Sequence, residues 1–192
     1  MKLHSVFFSA MLLAGTQLFA APILFTANLN AANENPATAS AGTGFATVTI
    51  DTVAQTMEVN VTFQNLTSGV TAAHIHCCVA PGGNVGVATT TPTFTGFPSG
   101  VTSGTYDNVF DMTQAGSYNP AFVTANGSLS NAEAVLFAGI AAGNAYLNIH
   151  TTNFGGGEIR GFLSPQVPEP ATLGLVGLTL AGLLAFRRRI RL

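Results

Sequence analysis

The alternation of apolar and polar residues between positions 21 and 166 predicts a series of β-strands. Residues 57–63 alternate without exception, which places their four apolar side chains on one face of a strand. Residues 45–51 are rich in Thr and Val and predict its hairpin partner across the loop at 52–55. The same criteria predict five more strands, at residues 23–29, 72–76, 105–111, 145–151 and 158–163.

One helix interrupts this β pattern. Ser130 and Glu133 have the spacing of a capping box, and residues 134–142 are rich in helix formers before Gly143 ends the helix. The Gly-, Pro- and Thr-rich segment at 81–104 predicts a long loop with at most one strand, near residues 85–88. Seven short strands and a single helical crossover indicate an all-β, antiparallel sandwich.

The N-terminus has the pattern of a secretory signal peptide. Lys2 supplies a positive charge, residues 6–19 are mostly apolar, and Ala20 precedes the expected cleavage. We therefore expect residues 1–20 to be a signal peptide.

The C-terminal residues 167–192 combine a rigid break, an apolar run and a cluster of positive charge. An apolar run of 16 residues forms a helix about 24 Å long, short of the roughly 30 Å of a hydrocarbon core. Arginine side chains at its end can reach the interface, and their charge favours the cytoplasmic side. The sequence thus predicts a transmembrane helix with the preceding domain outside. In order, the features are Pro168-Glu169-Pro170, the apolar residues 171–186, and Arg187, Arg188, Arg189 and Arg191.

This C-terminal arrangement resembles the PEP-CTERM sorting signal. The resemblance implies recognition by an exosortase-type membrane protease, removal of the tail, and delivery of the rest to the cell surface or extracellular matrix. On this interpretation the C-terminal helix tethers the protein to the membrane before processing. One domain, residues 21–166, lies between the signal peptide and the sorting signal at 167–192.

The charge of residues 21–166 excludes one class of partner. Seven carboxylates face a single cation, Arg160, so the net charge of this region is −6 with neutral histidines. Nucleic-acid binding depends on Lys and Arg side chains that neutralise phosphates. We therefore expect no nucleic-acid partner.

Several segments of this domain together resemble the CHRD family, in the family's order. The resemblance implies an immunoglobulin-like or superoxide-dismutase-like β-sandwich, and it implies no established reaction. The matching segments are residues 25–29 with 33–36, 73–76, 146–151 and 157–163.

Three histidines are candidate metal ligands. His74 and His76 are two positions apart on a predicted strand, so their side chains share a face with Cα atoms about 7 Å apart. His150, on another predicted strand, is a candidate third ligand, and three neutral imidazoles suit copper or zinc. The pair also resembles the start of the copper site in copper-zinc superoxide dismutase, but residues 21–166 lack the fourth copper imidazole. The alternative is that the histidines are structural and bonded to loop backbone, with His150 bonded to Asn148 or a carboxylate.

Cys77 and Cys78 directly follow the histidine pair, and three interpretations of them are open. An oxidising exterior favours a vicinal disulfide that forms a rigid turn. The second interpretation is that their thiolates join His74 and His76 as copper or zinc ligands. The third is a covalent bond to a second chain.

Glu158 and Arg160 are two positions apart on the last predicted strand and therefore share a face. This spacing predicts a structural ion pair, formed either between the two residues or with neighbours on an adjacent strand.

Residues 21–166 contain no Gly-x-Ser-x-Gly motif and no phosphate-binding loop. We therefore expect an exported, non-enzymatic module that requires no cofactor and acts at the cell surface or in the matrix, with polysaccharide or a surface protein as its partner. The alternative is a copper- or zinc-binding domain. A superoxide-dismutase-like metalloenzyme is the most remote alternative.

Overall fold

The computed structural model of the chain describes residues 21–166. The predicted signal peptide at 1–20 and the predicted transmembrane helix lie outside those residues, as do Pro168, Glu169, Pro170 and the arginine cluster. Among residues 21–166, no helix has the length and apolar character needed to cross a membrane.

Eight strands form one curled antiparallel sheet, so the all-β prediction is confirmed. Their order across the sheet is β4-β6-β7-β1-β2-β3-β5, and β8 pairs with β1. All seven strands predicted from the alternating pattern are present, and β2 and β3 form the predicted hairpin. The strands are β1 (Ile23–Asn30), β2 (Thr43–Asp51), β3 (Thr56–Gln64), β4 (Val70–Cys77), β5 (Gly104–Asp111), β6 (Ala145–Thr151), β7 (Ile159–Phe162) and β8 (Ser164–Pro165).

The structure has two short α-helices where the sequence predicted one. Helix α2 (Leu129–Ala141) is the predicted helix, but its cap was assigned wrongly. The Ser128 hydroxyl, not Ser130, caps it by accepting a hydrogen bond from the Asn131 N–H at 3.1 Å. Helix α1 (Pro120–Asn126) was missed because none of its residues is fully buried, so it has no hydrophobic periodicity to detect.

The predicted long loop lies between β4 and β5 and contains no regular strand, so the one strand that the sequence allowed near residues 85–88 does not form. It forms only isolated bridges, for example between His76 and Val87. The loop covers the outer edge of β4, where the Ala88 N–H donates to the Ile75 carbonyl at 3.0 Å. Edge strands generally need such protection against pairing with other chains.

Strands β4, β6 and β7 are buried on both faces. On β6 every residue is buried; Leu147 and Ile149 belong to the hydrophobic core. The alternate residues point to the opposite face, where loops cover them. We call this second face the polar layer; its members are His74, His76, Tyr146, Asn148, His150 and Arg160.

Helix α2 passes the end of β4 at Gly139, which lies against both sulfur atoms of Cys77 and Cys78. A Cβ at Gly139 would overlap both sulfurs. Replacing glycine with alanine inside a helix normally stabilises it by about 1 kcal/mol. Here we expect Gly139→Ala to lower the free energy of unfolding by about 1–2 kcal/mol, because overpacking outweighs the helix propensity.

Urea unfolding of the variant and the parent measures this difference. The exposed Ala138→Gly variant on the same helix gives the size of the propensity effect without the steric one. A Gly139→Ala protein more stable than its parent would show that the contact with the sulfurs is loose.

Candidate metal centre

The structure brings His74, His76 and His150 together in the polar layer. The ring nitrogens that they offer to a metal all lie within 4.8 Å of one another. Ring centroids are 5.2 Å apart for His74 and His150, and 5.8 Å apart for His76 and His150. All three side chains are buried.

Two adjacent strands position the three rings. β4 carries His74 and His76, and β6 carries His150, which lies opposite Ala72. Residues opposite one another in an antiparallel pair share a face of the sheet. The hydrogen-bond ladder between β4 and β6 therefore sets the spacing of the three imidazoles.

A loop carbonyl holds each ring by one nitrogen. His74 Nε2 lies 2.6 Å from the Pro92 carbonyl oxygen, His76 Nδ1 lies 2.8 Å from that of Val85, and His150 Nδ1 lies 3.0 Å from that of Gly155. A carbonyl only accepts hydrogen bonds, so each of these nitrogens carries the proton in the neutral ring. The other nitrogen of each ring then presents a lone pair.

Those other nitrogens are free to bind a metal. His74 Nδ1, His76 Nε2 and His150 Nε2 are buried and have no hydrogen-bond partner within the described chain. Metal-binding histidines typically donate their second nitrogen to a carbonyl or carboxylate in this way. The alternative prediction, that the histidines are bonded to loop backbone, therefore accounts for only one nitrogen of each ring. For His150 the loop partner is the Gly155 carbonyl, not Asn148.

Burial keeps the three rings neutral. It lowers the pKa of His76 to about 4, against the opposing effect of the Val85 carbonyl. Burial also lowers the pKa of His74 and of His150. A metal ligand must be unprotonated, so these imidazoles are in the required state at neutral pH.

An aromatic ring and a buried cation complete one side of the site. The Tyr146 ring is stacked on the His76 imidazole, with centroids 4.7 Å apart and an angle of 6° between the planes. The Arg160 guanidinium lies 4.6 Å from the centroid of the same Tyr146 ring. Neither Tyr146 nor its contact with Arg160 was predicted, because stacking across three strands depends on their order in the sheet.

The predicted ion pair of Glu158 and Arg160 is corrected by the structure. Glu158 points to Ser40, Thr67 and Thr151, whose donors surround its carboxylate. Arg160 instead lies beside Glu34, with Nε 3.8 Å from the Glu34 carboxylate, the one salt bridge among residues 21–166. Glu158 precedes β7 and Arg160 lies within it, so their side chains reach different loops.

The two cysteines do not join the histidines, which corrects the prediction of thiolate ligands. Cys77 and Cys78 are bonded to each other in a vicinal disulfide. Cys77 belongs to the hydrophobic core, on the face of β4 opposite His76, and Cys78 Sγ lies 3.6 Å from the Val135 carbonyl of α2. Strand alternation thus directs the sulfur of Cys77 away from the metal site.

Comparison with protein families identifies both parts of the chain. The CHRD domain model matches residues 25–163, and the PEP-CTERM protein-sorting motif matches residues 166–189. No curated protein and no solved structure matches the chain, so the resemblance to immunoglobulin-like or dismutase-like sandwiches stays a prediction. The sorting motif implies a secreted protein that an exosortase-type system recognises and processes at the cell surface. The chain belongs to the CHRD domain family and carries a PEP-CTERM sorting motif.

Proposed function

We propose that the processed protein is a surface-delivered binding module that holds one transition-metal ion, copper or zinc, between His74, His76 and His150. One observation carries this proposal: the three histidines bring ring nitrogens within 4.8 Å of one another, and each ring keeps one buried nitrogen without a hydrogen-bond partner among residues 21–166. Imidazole nitrogens are common ligands of both metals.

A purely structural role explains the same histidines less well. Each buried acceptor without a partner costs about 1–3 kcal/mol, and native structures contain few of them. Three such atoms on rings whose centroids lie 5.2–5.9 Å apart are a concentrated penalty. A single metal ion provides all three with a partner.

The proposal assigns no reaction to the domain. It does not include superoxide dismutation, because residues 21–166 contain only three histidines. Binding of polysaccharide or of a surface protein stays a prediction, since no contact among residues 21–166 favours one of them.

Metal loading of the exported protein tests the proposal. After removal of metal with a chelator, the parent is dialysed against Zn²⁺ or copper, and bound metal is measured by mass spectrometry. We expect one ion per chain, and at least about 100-fold weaker binding by the His74→Ala/His76→Ala variant, since truncating two ligands leaves a single donor.

Asp107→Asn serves as the control for adventitious ions, because Asp107 is an exposed carboxylate on the distant strand β5. It is expected to bind as the parent does. A parent that stays empty after challenge with both metals contradicts the proposal, and so does equal loading of the double variant.

A further inference from the structure

The donor set of the metal centre carries no negative charge. Within the described part of the chain, the group consists of three neutral imidazoles with no carboxylate and no thiolate. Burying an ion without a counter-charge is costly, and in a Born treatment this cost grows with the square of the ionic charge. The Born cost of burying a divalent ion is therefore about four times that of burying a monovalent ion.

The charged side chain that packs beside the site, through one intervening aromatic ring, is a cation. Arg160 lies against Tyr146, which in turn is stacked on His76. The carboxylate of Glu34 lies 3.8 Å from the Arg160 guanidinium and is engaged there. The local charge thus disfavours a divalent ion further.

The site is also closed around its donors. The three donor nitrogens have essentially no solvent contact. Zinc held by three histidines takes a water as its fourth ligand, and Cu(II) prefers tetragonal sites, so both need a ligand in addition to the three imidazoles. No further histidine exists in residues 21–166, and the two sulfurs are bonded to each other. Imidazole is a ligand of copper, and Cu(I), a closed-shell ion, binds with only two or three neutral nitrogen donors.

Building on the metal-binding function proposed above, we propose that the ion held by His74, His76 and His150 is Cu(I), in preference to Zn(II) and Cu(II). A closed site of neutral donors keeps this ion reduced in an oxidising exterior. A thousandfold preference for Cu(I) over Cu(II) raises the copper reduction potential by about 180 mV, at 59 mV for each factor of ten.

Competition titrations of the metal-free exported protein test this choice. Cu(I) is titrated without oxygen against the chromogenic chelator bicinchoninate, and Zn(II) and Cu(II) are titrated against chelators of known affinity. We expect the dissociation constant for Cu(I) to be at least about 1,000-fold lower than the constants for both divalent ions.

One variant tests the electrostatic reason directly. Asn148 lies opposite His74 in the polar layer, so Asn148→Asp places a carboxylate of nearly the same shape beside the site. We expect it to reduce the preference for Cu(I) at least about tenfold. Asn60→Asp adds the same charge on the distant strand β3 and is expected to leave the preference unchanged.

The outcomes separate the two proposals. Stoichiometric Zn(II) or Cu(II) binding as tight as that of Cu(I) overturns the assignment of Cu(I) and leaves the metal-binding function standing. An unchanged preference in Asn148→Asp overturns the electrostatic reason for the assignment. Absence of binding by all three ions ends both proposals.

Discussion

Replacing Arg160 with alanine is expected to lower the free energy of unfolding by about 3–5 kcal/mol, the usual cost of removing one partner from a buried charged pair. Arg160 is 1% exposed and is the largest fully buried side chain among residues 21–166. Its guanidinium donates to the carbonyls of Asn33 and Gly83 and to the side-chain oxygen of Asn84. The substitution leaves these acceptors without a donor and detaches two loops from the polar layer.

Two further variants show whether the hydrogen bonds of Arg160 or its pairing with Glu34 cause this loss of stability. Arg160→Lys keeps the charge but lacks the planar fork that reaches several acceptors, so we expect an intermediate loss. Glu34→Gln should cost less than Arg160→Ala, because burial raises the pKa of Glu34 to about 7 despite the attraction of Arg160. The Glu34 carboxyl is thus partly neutral already near pH 7. Urea unfolding measures all three, and coincident curves for the parent and Arg160→Ala would refute the prediction.

Glu158→Ala is expected to cost a similar amount, about 3–5 kcal/mol, because hydrogen bonds to a charged group contribute about 1.5–3 kcal/mol each and overlap in a network. Glu158 is fully buried. Its Oε1 accepts from the Ser40 hydroxyl at 2.6 Å and from the Thr67 N–H at 2.7 Å. Its Oε2 accepts from the hydroxyls of Thr67 at 3.0 Å and Thr151 at 2.5 Å. Removing the carboxylate leaves four donors from three segments without an acceptor.

The charge of Glu158 gives this prediction a pH signature. Burial opposes ionisation, but the hydrogen bonds from Ser40, Thr151 and Thr67 outweigh it and hold the pKa below its usual 4.5. A carboxyl with a lowered pKa stabilises the fold above its unfolded pKa and loses that contribution as the pH falls further.

The matched variant is Glu158→Gln, which keeps the shape and loses the charge. Its stability deficit relative to the parent should be largest near neutral pH and should shrink below about pH 4.5. A deficit that is independent of pH would indicate that the second acceptor oxygen, not the charge, makes Glu158 necessary.

Strands β1, β2, β3 and β5 were predictable because each one buries a single apolar face over a few residues. The alternation at residues 57–63 and the turn beside it specify the β2–β3 hairpin without reference to the rest of the chain. Helix α1 and the cap of α2 were not predictable in the same way. Helix α1 buries no residue fully, and two serines close together offered two possible caps for α2.

The metal centre was only half predictable. Spacing alone showed that His74 and His76 share a face, because residues two apart on a strand always do. That His150 meets them depends on β6 pairing with β4, although β5 and both helices come between them in the chain. The carbonyls of Pro92, Val85 and Gly155 carried no sequence signal at all, since every residue has a carbonyl.

Taken by itself, the sequence determined the β character, the sorting motif, the presence of a single basic residue in positions 21–166 and the residue types that can bind metal. These properties depend on local spacing and composition, which the chain carries in any conformation. Only the tertiary structure decided that Arg160 pairs with Glu34, that Cys77 turns into the core, and that three imidazoles, each with an unpartnered nitrogen, lie side by side. Those contacts join residues far apart in the chain, so they exist only after the sheet has curled and its loops have closed over the polar layer.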